Sequence, residues 1–219
     1  MLKDIKAVIF DMDGSLVDSM WIWKDIDIEY MQKYGYEMTD EKVAEIQSAI
    51  EGMSFAETAV WVSEHFDIPR TCEEMMDDWN QMAWDKYEKE VFLKPGVDNF
   101  LMKCIDRGIR LGIASSNSRE LIENVIRARK LEGVFQVIKT GSDGLRGKPA
   151  PDVYLAAAKE LGVEPEHCLV FEDVVAGIRA GKSAGMCVCA VEDDYSAHQW
   201  EEKKRLADYY IEDYYEIFN

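Results

Sequence analysis

Two carboxylates stand two residues apart where an apolar run ends, in Ala7-Val-Ile-Phe10-Asp11-Met-Asp13-Gly14. Side chains at i and i+2 of a strand share a face, so Asp11 and Asp13 are expected to be pushed together. Like charges that close call for a cation, a shared proton, or both. The pair also falls at the carboxyl edge of a strand, where open α/β sheets bind ligands. Metal-assisted or acid–base chemistry at that edge is therefore the first expectation.

Three further segments end predicted strands and should converge on the same edge. Ser115-Ser116-Asn117 couples a hydroxyl to the amides of a following helix start, a donor set suited to a phosphate, although capping by Ser116 or Ser118 is the plainer reading of that segment alone. Lys148 lies on the Pro-flanked loop Gly147-Lys148-Pro149-Ala150-Pro151, which should hold its ammonium in place rather than let it trail in solvent. Glu172 and Asp173 close another apolar run, and two adjacent acids at a strand end suggest a hard-metal site built from oxygen ligands.

Elements that could position these residues are visible in the pattern. Ala7–Phe10 and the short apolar runs Arg110–Ser115, Gln136–Thr140, Cys168–Glu172 and Met186–Val191 read as buried strands. Helical patterns at about 96–107, 118–131, 151–161 and 174–184 separate the later ones, which predicts a doubly wound parallel sheet of the α/β class. Residues 17–90 break the rhythm with helices at about 19–34, 40–51, 55–66 and 72–90, two of them opened by the capping boxes Ser54-x-x-Glu57 and Thr71-x-x-Glu74. This divides the chain into a core of residues 1–16 and 91–219 and an all-helical insertion of residues 17–90, with hinges at Gly14–Val17 and Glu90–Pro95. Trp21, Trp23, Trp61, Trp79 and Trp84 all fall in the insertion; a core role is expected of each, with Trp21 and Trp23 the candidates to face a substrate.

Composition narrows the function. A formal charge of −18 and a pI near 4.5 argue against nucleic acid as a partner, while a small phosphorylated ligand remains compatible if a cation and a lysine reverse the field in one pocket. Five cysteines without a CxxC pair, and no secretory leader, are expected of reduced, buried thiols in the cytoplasm. No apolar run reaches the roughly 20 residues that a membrane helix needs.

Taken in order, Asp11-Met-Asp13-Gly14, Ser115, Lys148 and Glu172-Asp173 resemble the signature of the haloacid dehalogenase superfamily of aspartate-dependent phosphotransferases, over essentially the whole chain. The helical insertion after the first motif, and the segment Phe171–Met186, resemble the β-phosphoglucomutase-like subgroup, which also holds phosphoglycolate and sugar-phosphate phosphatases. The resemblance implies a Rossmann-like core with a helical cap, Mg²⁺ as cofactor, and an aspartyl-phosphate formed on Asp11. Asp13 would serve as acid and then base, Lys148 and Ser115 with the amides around Ser116 and Asn117 would hold phosphoryl oxygens, and Asp11, the Asp13 carbonyl and Asp173, with Glu172 beside them, would hold the metal.

Asp13 argues against dehalogenation, which has no leaving oxygen to protonate. The mutase pattern has a histidine on the first cap helix and an arginine in the cap loop; the positions aligned with them here carry Trp23 and Phe55, which favours a phosphatase over a β-phosphoglucomutase-type enzyme and makes both residues candidates for substrate specificity. A receiver domain would need only about 120 residues and leaves the insertion unexplained, whereas a non-catalytic binding relative is the remaining alternative. The expected partner is a small phosphorylated metabolite, met by a monomer or weak homodimer.

Overall fold

The strand that leads to the aspartates shows why the sheet forms. Ala7 to Phe10 are fully buried and divide between two apolar clusters, Val8 and Phe10 on one face, Ala7 and Ile9 on the other. A strand covered on both faces belongs in the middle of a parallel sheet, and burying Phe10 or Ile9 contributes about 1.5–3 kcal/mol each. Phe10 stacks on Phe171 of the neighbouring strand at 5.3 Å and meets Phe100 edge-on at 6.0 Å.

The computed structural model describes residues 1–218. It opens with β1 (Ala7–Phe10), β2 (Val17–Asp18), α1 (Met20–Lys33), α2 (Asp40–Ile50), α3 (Phe55–His65), α4 (Cys72–Lys89) and β3 (Phe92–Leu93). There follow α5 (Val97–Asp106), β4 (Arg110–Ser115), α6 (Arg119–Ala128), β5 (Val137–Thr140), α7 (Asp152–Leu161) and β6 (Cys168–Glu172). The chain continues with α8 (Val175–Ser183), β7 (Cys187–Val191), α9 (Trp200–Leu206) and β8 (Tyr209–Ile211). The sheet runs β5-β4-β1-β6-β7-β8, parallel throughout, with β1 flanked by the two strands that deliver Ser115 and Glu172.

Both expected capping boxes form: Ser54 Oγ accepts from Glu57 N while Glu57 accepts from Ser54 N, and Thr71 and Glu74 do the same for α4. The two junctions expected as hinges pair with each other, Val17 opposite Leu93 and Asp18 opposite Phe92, in a two-stranded antiparallel ribbon. The sheet also gains a sixth strand, β8, and a helix before it, α9, that the apolar pattern does not reveal. β8 is three residues long and bonds on one side only, so it needs no continuous apolar run.

The tryptophans divide by exposure. Trp79 is buried and Trp23 and Trp61 are half-buried, but Trp21 and Trp84 are 39% and 37% exposed, which corrects the expectation of a core role for those two. Trp21 instead lies beneath the Lys86 ammonium at 5.5 Å. Three cysteines are buried, whereas Cys72 and Cys187 are half-buried, and all five thiols are free. Among the described residues no helix is long and apolar enough to cross a membrane.

Candidate active site

β1 ends at Phe10, one residue before the first aspartate, because its pairing with β4 and β6 stops there. Asp11 N still donates to Phe171 O at 2.9 Å, and the chain then turns through Gly14 at φ +78°. A side chain at Gly14 is excluded twice over, by the left-handed backbone and by Asp173, whose Oδ2 would lie 2.3 Å from a Cβ. This loop corrects the expectation that the two aspartates lie in a strand and share one face. The Asp11 carboxylate turns to Lys148, while Asp13 turns to Ser19 Oγ at 2.5 Å, Asn117 Nδ2 at 2.9 Å and the Tyr87 hydroxyl. Both still line one cavity.

Lys148 is 6% exposed, and its Nζ lies 2.5 Å from Asp11 Oδ1 and 2.6 Å from Glu172 Oε1. Burial alone would drive its proton off, but the two carboxylates more than reverse this, so the ammonium stays charged. Tyr154 of α7 donates to the same Glu172 oxygen at 2.5 Å, and Glu172 Oε2 accepts from Asp173 N at 3.1 Å. Gly177 of α8 is the floor of this pocket: a Cβ there would sit 1.8 Å from Glu172 Oε1.

One lysine faces an excess of acid. Burial first, and then the charges of Glu172 and Asp13, raise the Asp11 carboxyl to about 7 against the downward pull of Lys148. Asp173 is raised well above the usual carboxylate range, by burial first and then by Glu172 and Asp11. Asp11, Glu172 and Asp173 can each offer an oxygen with all three within 4.8 Å of one another, and Asp173 Oδ2 is buried with no hydrogen-bond partner. Clustered, buried carboxyl oxygens that resist ionisation, with one orphan among them, fit a hard divalent cation, which would supply the missing positive charge. The Asp13 carboxylate is not part of that cluster.

Ser115, at the end of β4, accepts from Asn117 N at 3.1 Å. Ser116 faces the inserted helices instead: its hydroxyl donates to Gly52 O at 3.3 Å and its carbonyl accepts from Phe55 N at 3.1 Å. Ser118 is the residue that caps α6. Trp23 and Phe55 meet edge-on at 5.6 Å on the wall of the cavity that also reaches Asp11, Ser115 and Lys148. Arg119 is held by Ile138 O and Asp143 at the surface.

Sequence reasoning misses three residues that complete this site: Ser19 and Tyr87, which hold Asp13, and Tyr154, which holds Glu172. Tyr87 lies 74 positions from Asp13, and Tyr154 lies 18 from Glu172. Both look like ordinary apolar-face residues of amphipathic helices. Only the folded arrangement distinguishes them.

A doubly wound sheet that gathers two aspartates, a serine, a lysine and an acidic pair at its carboxyl edge, beneath inserted helices, defines an acid-rich α/β enzyme site. The chain belongs to the haloacid dehalogenase-like hydrolases, whose family model matches residues 8–191. It is 31% identical over 183 residues to the phosphorylated carbohydrates phosphatase of Thermotoga maritima, covering 83% of this chain and 82% of that protein. It is 32% identical over 192 residues to the bifunctional riboflavin kinase/FMN phosphatase of Arabidopsis thaliana, covering 87% of this chain; it spans only 49% of that relative's length. The crystal structure of CbbY from Rhodobacter sphaeroides in complex with phosphate matches with a TM-score of 0.86 and 26% identity, over 98% of this chain and 96% of that one.

Proposed function

We propose that this protein is a Mg²⁺-dependent phosphatase of small phosphorylated metabolites that works through an aspartyl-phosphate, with residues 17–90 as its cap. The observation that carries the reading is the separation of the two aspartates: Asp11 is paired with a charged lysine, and Asp13 is held apart by three neutral donors. Two carboxyl groups with different surroundings can take different roles.

In the first displacement an Asp11 carboxylate oxygen forms a bond to phosphorus as the bond from phosphorus to the leaving oxygen breaks. Asp13 gives its proton to that oxygen. In the second, Asp13 takes a proton from water as the water oxygen attacks phosphorus, and Asp11 and inorganic phosphate separate. Lys148 and Ser115 hold phosphoryl oxygens through both steps, so most of the catalysis is positioning and charge. A divalent cation held by Asp11 and Asp173, with Glu172 beside them, would neutralise phosphoryl oxygens. Removal of the bound water shell by the cap would strengthen each of these interactions.

A hydrolase is favoured over a mutase by the cavity lining, where Lys148 is the one cation among the described residues. A bisphosphate has no second basic group to meet there. The test is release of phosphate from p-nitrophenyl phosphate with Mg²⁺: turnover is expected, and Asp11→Asn should lower it by at least about a thousandfold. A folded enzyme inert towards phosphomonoesters, or an Asp11→Asn variant at the native rate, would sink the reading.

A further inference from the structure

The cavity that reaches the catalytic carboxylates continues between the inserted helices, and its walls there are apolar. Trp23, Phe55, Phe66, Trp79, Met31 and Val62 supply them. Polar side chains interrupt this lining at a few points: Asp27 of α1, Gln47 of α2 and Thr58 of α3, with the phenols of Tyr30 and Tyr195. Gln47 Nε2 is buried and has no hydrogen-bond partner. Burial also pushes the Asp27 carboxyl up to about 7, against the pull of the nearby Gln47 amide. Glu51, the other acid on this part of the lining, is already engaged by the Gln199 amide. A buried donor without a partner is costly to the fold, and a ligand that answers it recovers that cost.

Building on the phosphatase reading, we infer that the substrate is the monophosphate ester of a compact, uncharged and largely apolar alcohol of about one ring. A single hydroxyl on the ring donates to Asp27 and accepts from Gln47 Nε2. A hydroxyl does both, whereas an ammonium only donates and a carboxylate only accepts.

Three features converge on this class. The whole cavity, its catalytic edge included, measures about 180 Å³, against the ~150 Å³ that holds a benzene ring, so it admits no more than one ring with the phosphate. Its aromatic walls suit a flat apolar body. A sugar or hexitol phosphate would bring four or more hydroxyls to a wall whose polar side chains, Asp27, Gln47 and Thr58 with the Tyr30 and Tyr195 phenols, are scattered among aromatic and aliphatic ones, and each hydroxyl left unpaired would count against binding. A second phosphate would meet Asp27 and Glu51 rather than a base.

Steady-state kinetics with Mg²⁺ on p-nitrophenyl phosphate, 2-phenylethyl phosphate, its 3- and 4-hydroxyphenyl analogues and sorbitol 6-phosphate test the inference. The better hydroxyphenyl ester should exceed both 2-phenylethyl phosphate and sorbitol 6-phosphate by at least about tenfold in kcat/KM. In Asp27→Leu/Gln47→Leu the ratio between the hydroxylated and plain phenylethyl esters should fall to within about threefold; it is a ratio within one protein and does not depend on the folded fraction. If the leucine pair fails to fold, Gln47→Glu, which replaces the donor with an acceptor, should give the same collapse. Equal or better use of sorbitol 6-phosphate, or an unchanged ratio in the variants, overturns the substrate class while leaving the phosphatase intact. Failure to hydrolyse even p-nitrophenyl phosphate overturns both.

Discussion

Tyr87 of α4 donates its phenol to Asp13 Oδ1, so a side chain from the inserted helices bonds directly to a core aspartate. The same phenol accepts from Trp23 Nε1 at 2.6 Å and from Asn117 Nδ2 at 3.1 Å. Burial first, and then the Asp13 charge, push the Tyr87 hydroxyl well above its ordinary range, so it remains a donor. Asp13 therefore has its full set of partners only when α4 is seated against the core. Seating is reinforced nearby by Ser118 Oγ on Asn80 Oδ1 at 2.6 Å and by Asn124 Nδ2 on Trp84 O at 2.9 Å.

Tyr87→Phe removes this donor and keeps the ring. With p-nitrophenyl phosphate, kcat is expected to fall about tenfold, the equivalent of about 1.4 kcal/mol, while KM changes less. Asp13 keeps Ser19 and Asn117, so the loss should stay well short of that in Asp11→Asn. A native kcat would show that α4 has no part in aiming Asp13.

Lys148→Met tests the charge balance of the core separately from catalysis. Removing the ammonium leaves Asp11 and Glu172 buried without their common partner, and breaking such a pair costs about 3–5 kcal/mol. Melting temperature should drop markedly and activity should be lost. Adding Glu172→Gln removes one of the stranded charges, so the double variant should melt above Lys148→Met and remain inactive. Additive losses in the two variants would mean that the three groups are not coupled.

The catalytic side of the site is legible in the sequence because each of its residues ends a strand or precedes a helix. The α/β topology itself then brings Asp11, Ser115, Lys148 and Glu172 to one edge. Tyr87 is a different case. It continues the buried face of α4 at four-residue spacing from Met75, Trp79 and Ala83, so its pattern is that of a core residue, and the polar partner is supplied by a distant loop. Trp21 and Trp84 fail in the opposite sense, since α1 and α4 are covered on one face only and their aromatic residues do not all fall on it. The separate aim of Asp11 and Asp13 is equally hidden, because it depends on where β1 stops pairing rather than on the residue types.

Glu57 links the insertion to the lysine loop and gives stability a pH dependence. It accepts from Ser54 N at 2.7 Å within its own capping box and from Gly147 N at 3.1 Å across to the core. Partial burial pushes its carboxyl up, but these backbone N–H groups outweigh that and hold it below its ordinary 4.5. A depressed carboxyl stabilises the folded state above its unfolded value and loses that contribution as pH falls through the folded one. Glu57→Gln should therefore melt below the native protein at pH 7, with the difference shrinking as pH falls below about 4.5. Thermal melts at pH 7 and pH 3.5 would check this, and a difference that grows on acidification would contradict it.

The acidic cluster predicts how the protein responds to a divalent cation before any substrate is present. Asp11 and Glu172 share Lys148, and Asp173 Oδ2 beside them has no partner, so the metal-free fold crowds three buried carboxyl groups around one ammonium. A cation that binds only the folded state stabilises it by mass action, about 2.7 kcal/mol at a hundred times its dissociation constant. For a chain of this size each kcal/mol raises the melting temperature by about 2–4 °C. Titrating Mg²⁺ into chelator-treated protein should therefore raise the melting point with the logarithm of concentration. Asp173→Asn keeps the shape and removes a buried anion, so without metal it should melt at or above the native protein, and its response to Mg²⁺ should be much smaller. A native protein whose melting point ignores Mg²⁺ over the millimolar range would show that the three carboxylates are neutralised by protons and not by metal.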